Sequence, residues 1–464
     1  MRALVIDTEG RVVRQAGRPT PPSTPAPGMV EIDGAAMVSA ARQCLDEVGT
    51  CDAAALGITT QRATTMLWDK STGAEVAPGL GWQDLRTVGT CIALGMQGVH
   101  VAPNASVSKL AYLLDITADG RARAAGGDLL FGTPDTWLAW HLTGEHVVDP
   151  TQAATTGMFS SDTWSWDREV LDALEIPAAC LPRVVATSGM CGEWSGVPVA
   201  ALVGDQQASL VGQGCVDEGD AKVTIGTGGM VDVTGGAAAP SRAGGSWRGD
   251  DGTYPIVAWD VASDRRFGAE AIILSAGDAI AWLVDLGLLT SVEECESVAR
   301  SVPSSDGVFF VPALAGLGSP HFDFGARGAF TGLTRGATRA HLVRAVVEGV
   351  AHRIADAVEA AGLSGPLRVD GGAAANRLLL ESVSTFTGLP VHRAPVTDAT
   401  SLGAALWAGV AIGVWPSASE ARRLWPPQDT VEPSPSDARD ARDGWAHALD
   451  AARRWLPDFS DLPL

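Results

Sequence analysis

The sequence has no Cys-x-x-Cys pair. Its seven cysteines (Cys44, Cys51, Cys91, Cys180, Cys191, Cys215, Cys295) are scattered and stand near no histidine cluster. An odd, dispersed set in a long chain excludes a disulfide framework and a structural zinc site. Long apolar runs are missing too: the most apolar stretch, 402–415, is too short and too glycine-containing to span a bilayer. Met1 leads straight into Arg-Ala-Leu-Val-Ile-Asp without a signal peptide, so the expected location is the cytoplasm. Positive charge is scarce. Lys and Arg total 33 against 54 Asp and Glu, a net charge of −21, which repels a nucleic-acid backbone and an anionic membrane surface alike. No short-period repeat is present. What the chain does have is 46% apolar residues and 54 glycines over 464 positions, the signature of a globular α/β protein too long for one core.

One stretch stands out, 197–213, written VPVAALVGDQQASLVGQ. An apolar strand (Val199 to Val203) runs into Gly204, Asp205 follows, and helical spacing begins at Gln206. An acid at the carboxyl end of a buried strand sits where open α/β sheets present ligands. The competing reading makes Asp205 only a helix cap. Elsewhere the pattern predicts a hairpin over 2–13 and a helix over 35–48. Strands are expected at 53–59 and 66–69, and mostly helix over 105–190 with a strand-to-helix junction at 129–134. A hairpin over 221–236 turns at Gly226-Thr227-Gly228-Gly229. The composition shift at 236–250 marks a domain boundary, giving domains 1–238 and 239–464. In the second half the spacing predicts a helix over 270–286 containing Gly277, and a strand over 308–312. A helix capped by Thr338 follows, then a strand over 367–370 entering Gly371-Gly372-Ala373, and a helix starting near Asn376. A small-residue helix at 402–414 precedes a solvated connection over 415–440, and a short amphipathic helix with Trp445 and Trp455 closes the chain.

Two glycine-rich turns are candidates for phosphate. The Gly226–Gly229 turn offers backbone N–H groups as an anion nest, with the Thr227 hydroxyl beside them. The Gly371–Ala373 turn opens a helix. Taken alone, each reads more readily as an ordinary tight turn. Neither matches Gly-x4-Gly-Lys-Ser/Thr or Gly-x-Gly-x-x-Gly, and neither contains Lys or His. A triphosphate on so acidic a chain would therefore need a divalent metal. Arg62 and Trp82 read either as a surface ion-pair partner and a packing residue, or as the guanidinium and aromatic wall that hold a small polyhydroxy ligand.

As a set, the motifs resemble those of the FGGY carbohydrate kinases over nearly the whole length. The matching segments are Gly57–Thr65, Leu130–Leu138, Gly204–Ala208, Gly226–Gly228, Pro312–Gly328 and Asp370–Asn376. The resemblance implies two actin-like ATPase (ribonuclease H-like) α/β domains with a cleft between them. It implies Asp205 as general base and indirect metal contact, and Arg62, Trp82, Asp205 and Gln206 around the substrate. Arg2, Gly226, Thr227, Gly228, Gly277, Gly372, Ala373 and Asn376 would lie at ATP, with Mg²⁺ as the metal and the 236–250 segment as hinge. The nearest members act on glycerol, so the implied reaction is glycerol to glycerol 3-phosphate, by a homodimer or homotetramer.

Three departures from that pattern set further expectations. Met1 aligns just after the family's opening Asp-x-Gly-Thr phosphate turn. The expectation is either a coding start upstream of Met1 or a sugar-binding protein without kinase activity. In the pocket, Ala63, Asn104 and Met230 stand where the glycerol-specific members have Glu, Tyr and Phe, which suits a longer polyol or a ketose such as xylulose. The Gly-Gly-Thr-Arg effector loop has no counterpart between Cys191 and Pro198, so no inhibition by a sugar bisphosphate is expected when it is titrated into the enzyme.

Overall fold

The computed structural model describes residues 1–239, 248–261, 264–394, 398–434 and 438–460. In the first half, β1 (Arg2–Ile6) and β2 (Val12–Gly17) form an antiparallel hairpin that stands as a two-stranded sheet. Helix α1 (Gly34–Val48) starts where the Asp33 carboxylate accepts the Ala36 N–H at 2.7 Å, and stops at Gly49 with φ 70°. It buries Met37, Ala41, Cys44 and Val48 at spacings of three and four. A second sheet holds β3 (Leu56–Thr60), then α2 (Pro134–Thr143) leads on to β4 (Ser188–Trp194) and β5 (Val197–Gly204). Its order is β4-β5-β3, with β5 parallel to β3. All of β5 but Pro198 is buried, as an apolar run covered on both faces requires. Helix α3 (Asp205–Gly212) follows it directly.

The second half is built on one seven-stranded sheet. Its members are β6 (Ala221–Ile225), β7 (Gly229–Thr234), β8 (Tyr254–Val261) and β9 (Asp264–Ile273). Helices α4 (Gly277–Asp285) and α5 (Arg339–Ala360) come next, then β10 (Leu367–Asp370), α6 (Arg377–Thr387), β11 (Val391–Arg393), α7 (Ala399–Ala411) and β12 (Asp429–Val431). Helix α8 (Ala438–Ala452) closes the set. The strand order is β8-β9-β7-β6-β10-β11-β12. The Thr338 cap forms as expected, reciprocated by the His341 ring. Val346, Val350 and Ile354 of α5 share one buried core with Val223, Ile225 and Val231 of the sheet. Helix α7 crosses α3 at backbone contact: a Cβ on Gly403 would lie 1.9 Å from the Ala208 carbonyl oxygen, and one on Gly212 1.9 Å from that of Ala399. Glycine is what lets the two halves meet there.

Four expectations are corrected. The boundary at 236–250 falls inside the second sheet, because β6 and β7 pair with β9 and β10; residues 221–234 belong with the second half. The proposed hinge at 236–250 lies mostly outside the described residues. Glu270 is in β9, not in a helix, because pairing with β7 and β8 outweighs the local spacing; the helix begins only at Gly277. Residues 105–190 hold the expected strand-to-helix junction at 129–134, but also short strands at 147–148, 159–160, 165–166 and 183–184 that a mostly helical reading leaves out. The 415–440 tail is not a plain solvated link. Trp415 and Trp425 are buried, and their indole N–H groups donate to the Thr8 and Gly10 carbonyls at 3.2 and 2.8 Å. At the end of the chain Trp445 is buried on α8, whereas Trp455 lies exposed beyond it. All seven cysteines are free thiols, and only Cys51 is exposed. No helix among the described residues is long and apolar enough to cross a membrane.

Candidate active site

Strands β3 and β5 run parallel and end side by side, with Gly204 opposite Thr60. The chain leaves β3 through Gln61 and Arg62 and leaves β5 through Asp205, so both side chains emerge at the carboxyl edge of the sheet. The Arg62 Nε lies 3.4 Å from Asp205 Oδ1, which also accepts the Gln206 N–H at 2.8 Å. Asp205 therefore opens α3, yet its side chain is turned to Arg62 as well as to the adjacent backbone. Burial pushes the Asp205 carboxyl above its ordinary value, and the Arg62 guanidinium works in the opposite direction.

This approach depends on Gly204. A Cβ there would lie 2.7 Å from Gln207 Oε1 and 2.8 Å from Arg62 Cδ. Gly204→Ala is expected to push Arg62 off Asp205 and cost up to about 10²-fold in kcat/KM, with the melting temperature moving by only a few degrees. Steady-state kinetics beside thermal melting checks this split.

The other Arg62 nitrogen, Nη2, bonds Glu270 Oε2 at 2.5 Å across the two halves. Glu270 belongs to a row running straight across the second sheet, where Lys222 stands opposite Asp232 and Asp232 opposite Glu270. Lys222 Nζ lies 2.7 Å from Asp232 and donates to Gln206 Oε1 at 2.5 Å. The contacts close a ring from Asp205 through Arg62, Glu270, Asp232, Lys222 and Gln206 back to the start of α3. Lys222, Asp232 and Glu270 are absent from the sequence reading. Their signal was a charged residue set between apolar neighbours in a strand, as in Ala221-Lys222-Val223 and Val231-Asp232-Val233.

Burial, opposed by Arg62 and reinforced by Asp232, raises Glu270 to about 7. Burial and the neighbouring Asp135 raise Asp149 to about 7 as well. Both values exceed those of the unfolded chain. The stability these carboxyls contribute is thus complete below pH ~4 and lost as pH rises through 7. Thermal melting from pH 5 to 8 should show a falling transition temperature, and Glu270→Gln should flatten part of that slope.

The glycine turns assemble beside this ring. Gly277 N–H donates to the Gly226 carbonyl at 2.9 Å, and the Thr227 carbonyl accepts from Ala276 at 3.0 Å and Asp278 at 3.1 Å. A Cβ on Gly277 would meet the Gly226 oxygen at 2.4 Å and the Ala373 Cβ at 3.9 Å. Gly371, at φ 93°, lies so close to β6 that a Cβ would be 2.4 Å from the Ile225 oxygen. Gly226, Thr227 and Gly372 remain exposed, and Asn376 caps α6 by accepting the Leu379 N–H at 3.1 Å. Gly226, Thr227, Gly228, Gly277, Gly372, Ala373 and Asn376 thus form one surface. It connects to the ion ring through α3, where Ser209 donates to Asp370 Oδ2 at 3.2 Å while Asp370 Oδ1 is buried without a partner.

Two expected site residues stand apart from these contacts. Arg2 lies exposed on β1 and pairs with Asp398 at 2.5 Å. Trp82 is half-buried, two residues beyond Leu80, which pairs with Thr65. Among the described residues no three His, Cys, Asp or Glu side chains cluster as a metal cage. Asp205, with one oxygen committed to Arg62 and Gln206, fits a cation that arrives bound to a nucleotide's phosphates, not one held by the protein alone.

A carboxylate held by an arginine in one α/β half, on a helix that bonds the head of a glycine-lined turn in the other, is the arrangement of a two-domain phosphotransfer protein. The chain belongs to the FGGY family of carbohydrate kinases: that family's N-terminal domain matches residues 1–212 and its C-terminal domain residues 221–412. It is similar to a glycerol kinase of Aromatoleum aromaticum, 40% identical over 98% of this chain and 97% of the relative. A glycerol kinase of Thermus brockianus is 39% identical over the same shares. Among solved structures, Plasmodium falciparum glycerol kinase with ADP superposes with a TM-score of 0.90 at 23% identity, covering 97% of this chain and 96% of that one. A ligand-bound xylulose kinase from Lactobacillus acidophilus gives 0.85 at 19%, covering 97% and 95%. The two structural likenesses establish the fold.

Proposed function

We propose that the protein transfers the γ-phosphoryl group of ATP to a hydroxyl of a small polyol, with glycerol as substrate and glycerol 3-phosphate as product. The observation that supports this best is the half-exposed Asp205 carboxylate, fixed by Arg62 on the helix that also touches the head of the nucleotide turn through Ser209. Asp205 accepts the hydroxyl proton as that oxygen attacks the γ-phosphorus; the bond to the β–γ bridging oxygen breaks and ADP leaves. Arg62, Trp82 and Gln206 hold the polyol. The exposed amides of Gly226–Gly228 and the surface of Gly277, Gly372, Ala373 and Asn376 hold the nucleotide. Mg²⁺ arriving with ATP would supply charge neutralisation at the phosphates, and Asp205 would be the residue to contact it. Such a kinase belongs in the cytoplasm.

A second reading, a ketose or longer polyol, is favoured by one feature. Met230 Sδ accepts from Arg62 Nη2 at 3.9 Å, and Ala63 carries no polar group, so neither position supplies an oxygen to hold a small polyol and discriminate for it. The test is ADP release with Mg-ATP over a panel of glycerol, longer polyols and ketoses. The largest kcat/KM on glycerol supports the first reading, and a preference for xylulose the second. No release with any acceptor would refute both.

A further inference from the structure

The two strand ends that carry Arg62 and Asp205 are gripped by one turn of chain from elsewhere in the first half. After α2 comes a single helical turn, Pro150–Ala153, with all four residues buried. Its N-cap is Asp149, whose carboxylate accepts the Thr151 and Gln152 N–H groups at 3.1 Å each. Two consecutive side chains of this turn reach one strand each. Thr151 Oγ1 accepts the N–H of Gly204, the last residue of β5, at 2.7 Å. Gln152 Nε2 donates to the Thr60 carbonyl at 3.1 Å and to the Thr60 hydroxyl at 2.9 Å, at the last residue of β3. Gly204 directly precedes Asp205, and Thr60 stands two residues before Arg62. The turn therefore ties together the two points from which the pair at 3.4 Å springs.

The grip is itself anchored. The Thr151 hydroxyl donates to Asp149 Oδ1 at 2.8 Å, which leaves its lone pairs aimed at the Gly204 N–H. Asp149 Oδ2 accepts the Thr187 hydroxyl at 2.8 Å. Thr187 is bonded in turn to the backbone of Asp260 in β8, donating its N–H to the carbonyl at 2.8 Å and accepting the N–H on Oγ1 at 3.1 Å. The chain of bonds thus runs from the second sheet to the residue before Asp205. Asp149, Thr151, Gln152 and Thr187 are all fully buried, so water does not compete for these bonds. Gln152 holds Thr60 although its own Oε1 is buried without a partner. A residue there only for packing would avoid that cost by being apolar.

We propose that Thr151 and Gln152 are positioning residues that set the separation of Arg62 and Asp205, Thr151 by placing the base and Gln152 by placing the arginine. The kinetic consequences rest on the kinase reading; the separation itself rests on the geometry alone. Thr151→Val keeps the shape of the side chain and removes the acceptor for Gly204, so kcat should fall by up to about 10²-fold with the KM for ATP unchanged. Thr151→Ser restores the hydroxyl and should return kcat to within about threefold of wild type. Gln152→Met keeps the length and removes both donors to Thr60. Its main effect should be a rise of about tenfold in the KM for the polyol, since Arg62 is the residue displaced.

The test is a crystal structure and steady-state kinetics for each of these variants, with Thr156→Val as a matched control. Thr156 is fully buried too, and its hydroxyl donates to the Ala153 carbonyl at 2.7 Å and accepts the Met158 N–H at 3.1 Å. Its loss should lower stability comparably while its bonds stay within 153–158. Thr151→Val and Gln152→Met should move Arg62 Nε and Asp205 Oδ1 beyond about 4 Å, the limit of an ion pair. Thr151→Ser and Thr156→Val should keep the pair together. An undisplaced pair in Thr151→Val and Gln152→Met, or a fall in kcat for Thr151→Val no larger than that for Thr156→Val, would overturn the proposal. A wild-type protein that transfers phosphate to no acceptor would refute the kinase reading instead, and the measured separation would still decide whether Thr151 and Gln152 position the pair.

Discussion

Asp205→Asn is expected to lower kcat by about 10²–10⁴-fold, the usual contribution of a positioned general base, while the KM for ATP changes little. The amide keeps the shape of the carboxylate and one acceptor for the Gln206 N–H, but it cannot take a proton from a hydroxyl. Arg62 keeps its bond to Glu270 at 2.5 Å, so the guanidinium stays in place and the loss is confined to the reacting centre. A purely structural role, as a cap of α3, predicts the opposite pattern: about 1 kcal/mol of lost stability and nearly normal turnover. Steady-state kinetics and denaturation on the same variant separate the two. Turnover within about threefold of wild type would remove Asp205 from the chemistry.

Lys222→Met is expected to cost about 3–5 kcal/mol of folding stability. Lys222 and Asp232 are both fully buried and 2.7 Å apart, and removing one partner leaves an uncompensated charge in the interior. The double variant Lys222→Met/Asp232→Val removes both charges with a smaller change of volume and should recover most of that loss, since a buried ion pair is roughly matched by a well-packed apolar pair. Recovery of stability should not restore activity in full. Lys222 also donates to Gln206 Oε1 at 2.5 Å, so the double variant should still bind the polyol more weakly. Urea denaturation of the two single variants and the double one measures the coupling directly. A loss below about 1 kcal/mol for Lys222→Met would show that the ring is solvated and contributes little.

The half of the candidate site that rests on local spacing is legible in the sequence as strand ends and turns. Asp205 follows an unbroken apolar strand, and Gly226–Gly228 and Gly371–Ala373 stand where strands end. Each signal lies within ten residues of chain, and the structure places each where the pattern expects it. The ionic ring was not legible, because strand register creates it. Lys222, Asp232 and Glu270 come from three strands and meet only when β6, β7 and β9 align side by side. Glu270 was further hidden by the misassigned helix: the run from 270 to 286 has helix-compatible spacing, and only the pairing of β9 with β7 and β8 decides otherwise. The domain boundary went astray for a related reason. A composition shift marks a surface connection, and here that connection joins two strands of one sheet. The buried Trp415 and Trp425 lie in a segment of solvated composition, yet their partners are backbone carbonyls about four hundred residues earlier in the chain.

The central claim is that a phosphoryl group passes from ATP to a carbon-bound hydroxyl in this cleft. Phosphorus NMR of the protein with Mg-ATP and glycerol tests it most directly. The account predicts a growing phosphomonoester resonance in step with ADP, dependent on glycerol and absent with Asp205→Asn. Inorganic phosphate appearing in its place, or ATP consumption indifferent to any added acceptor, would contradict it.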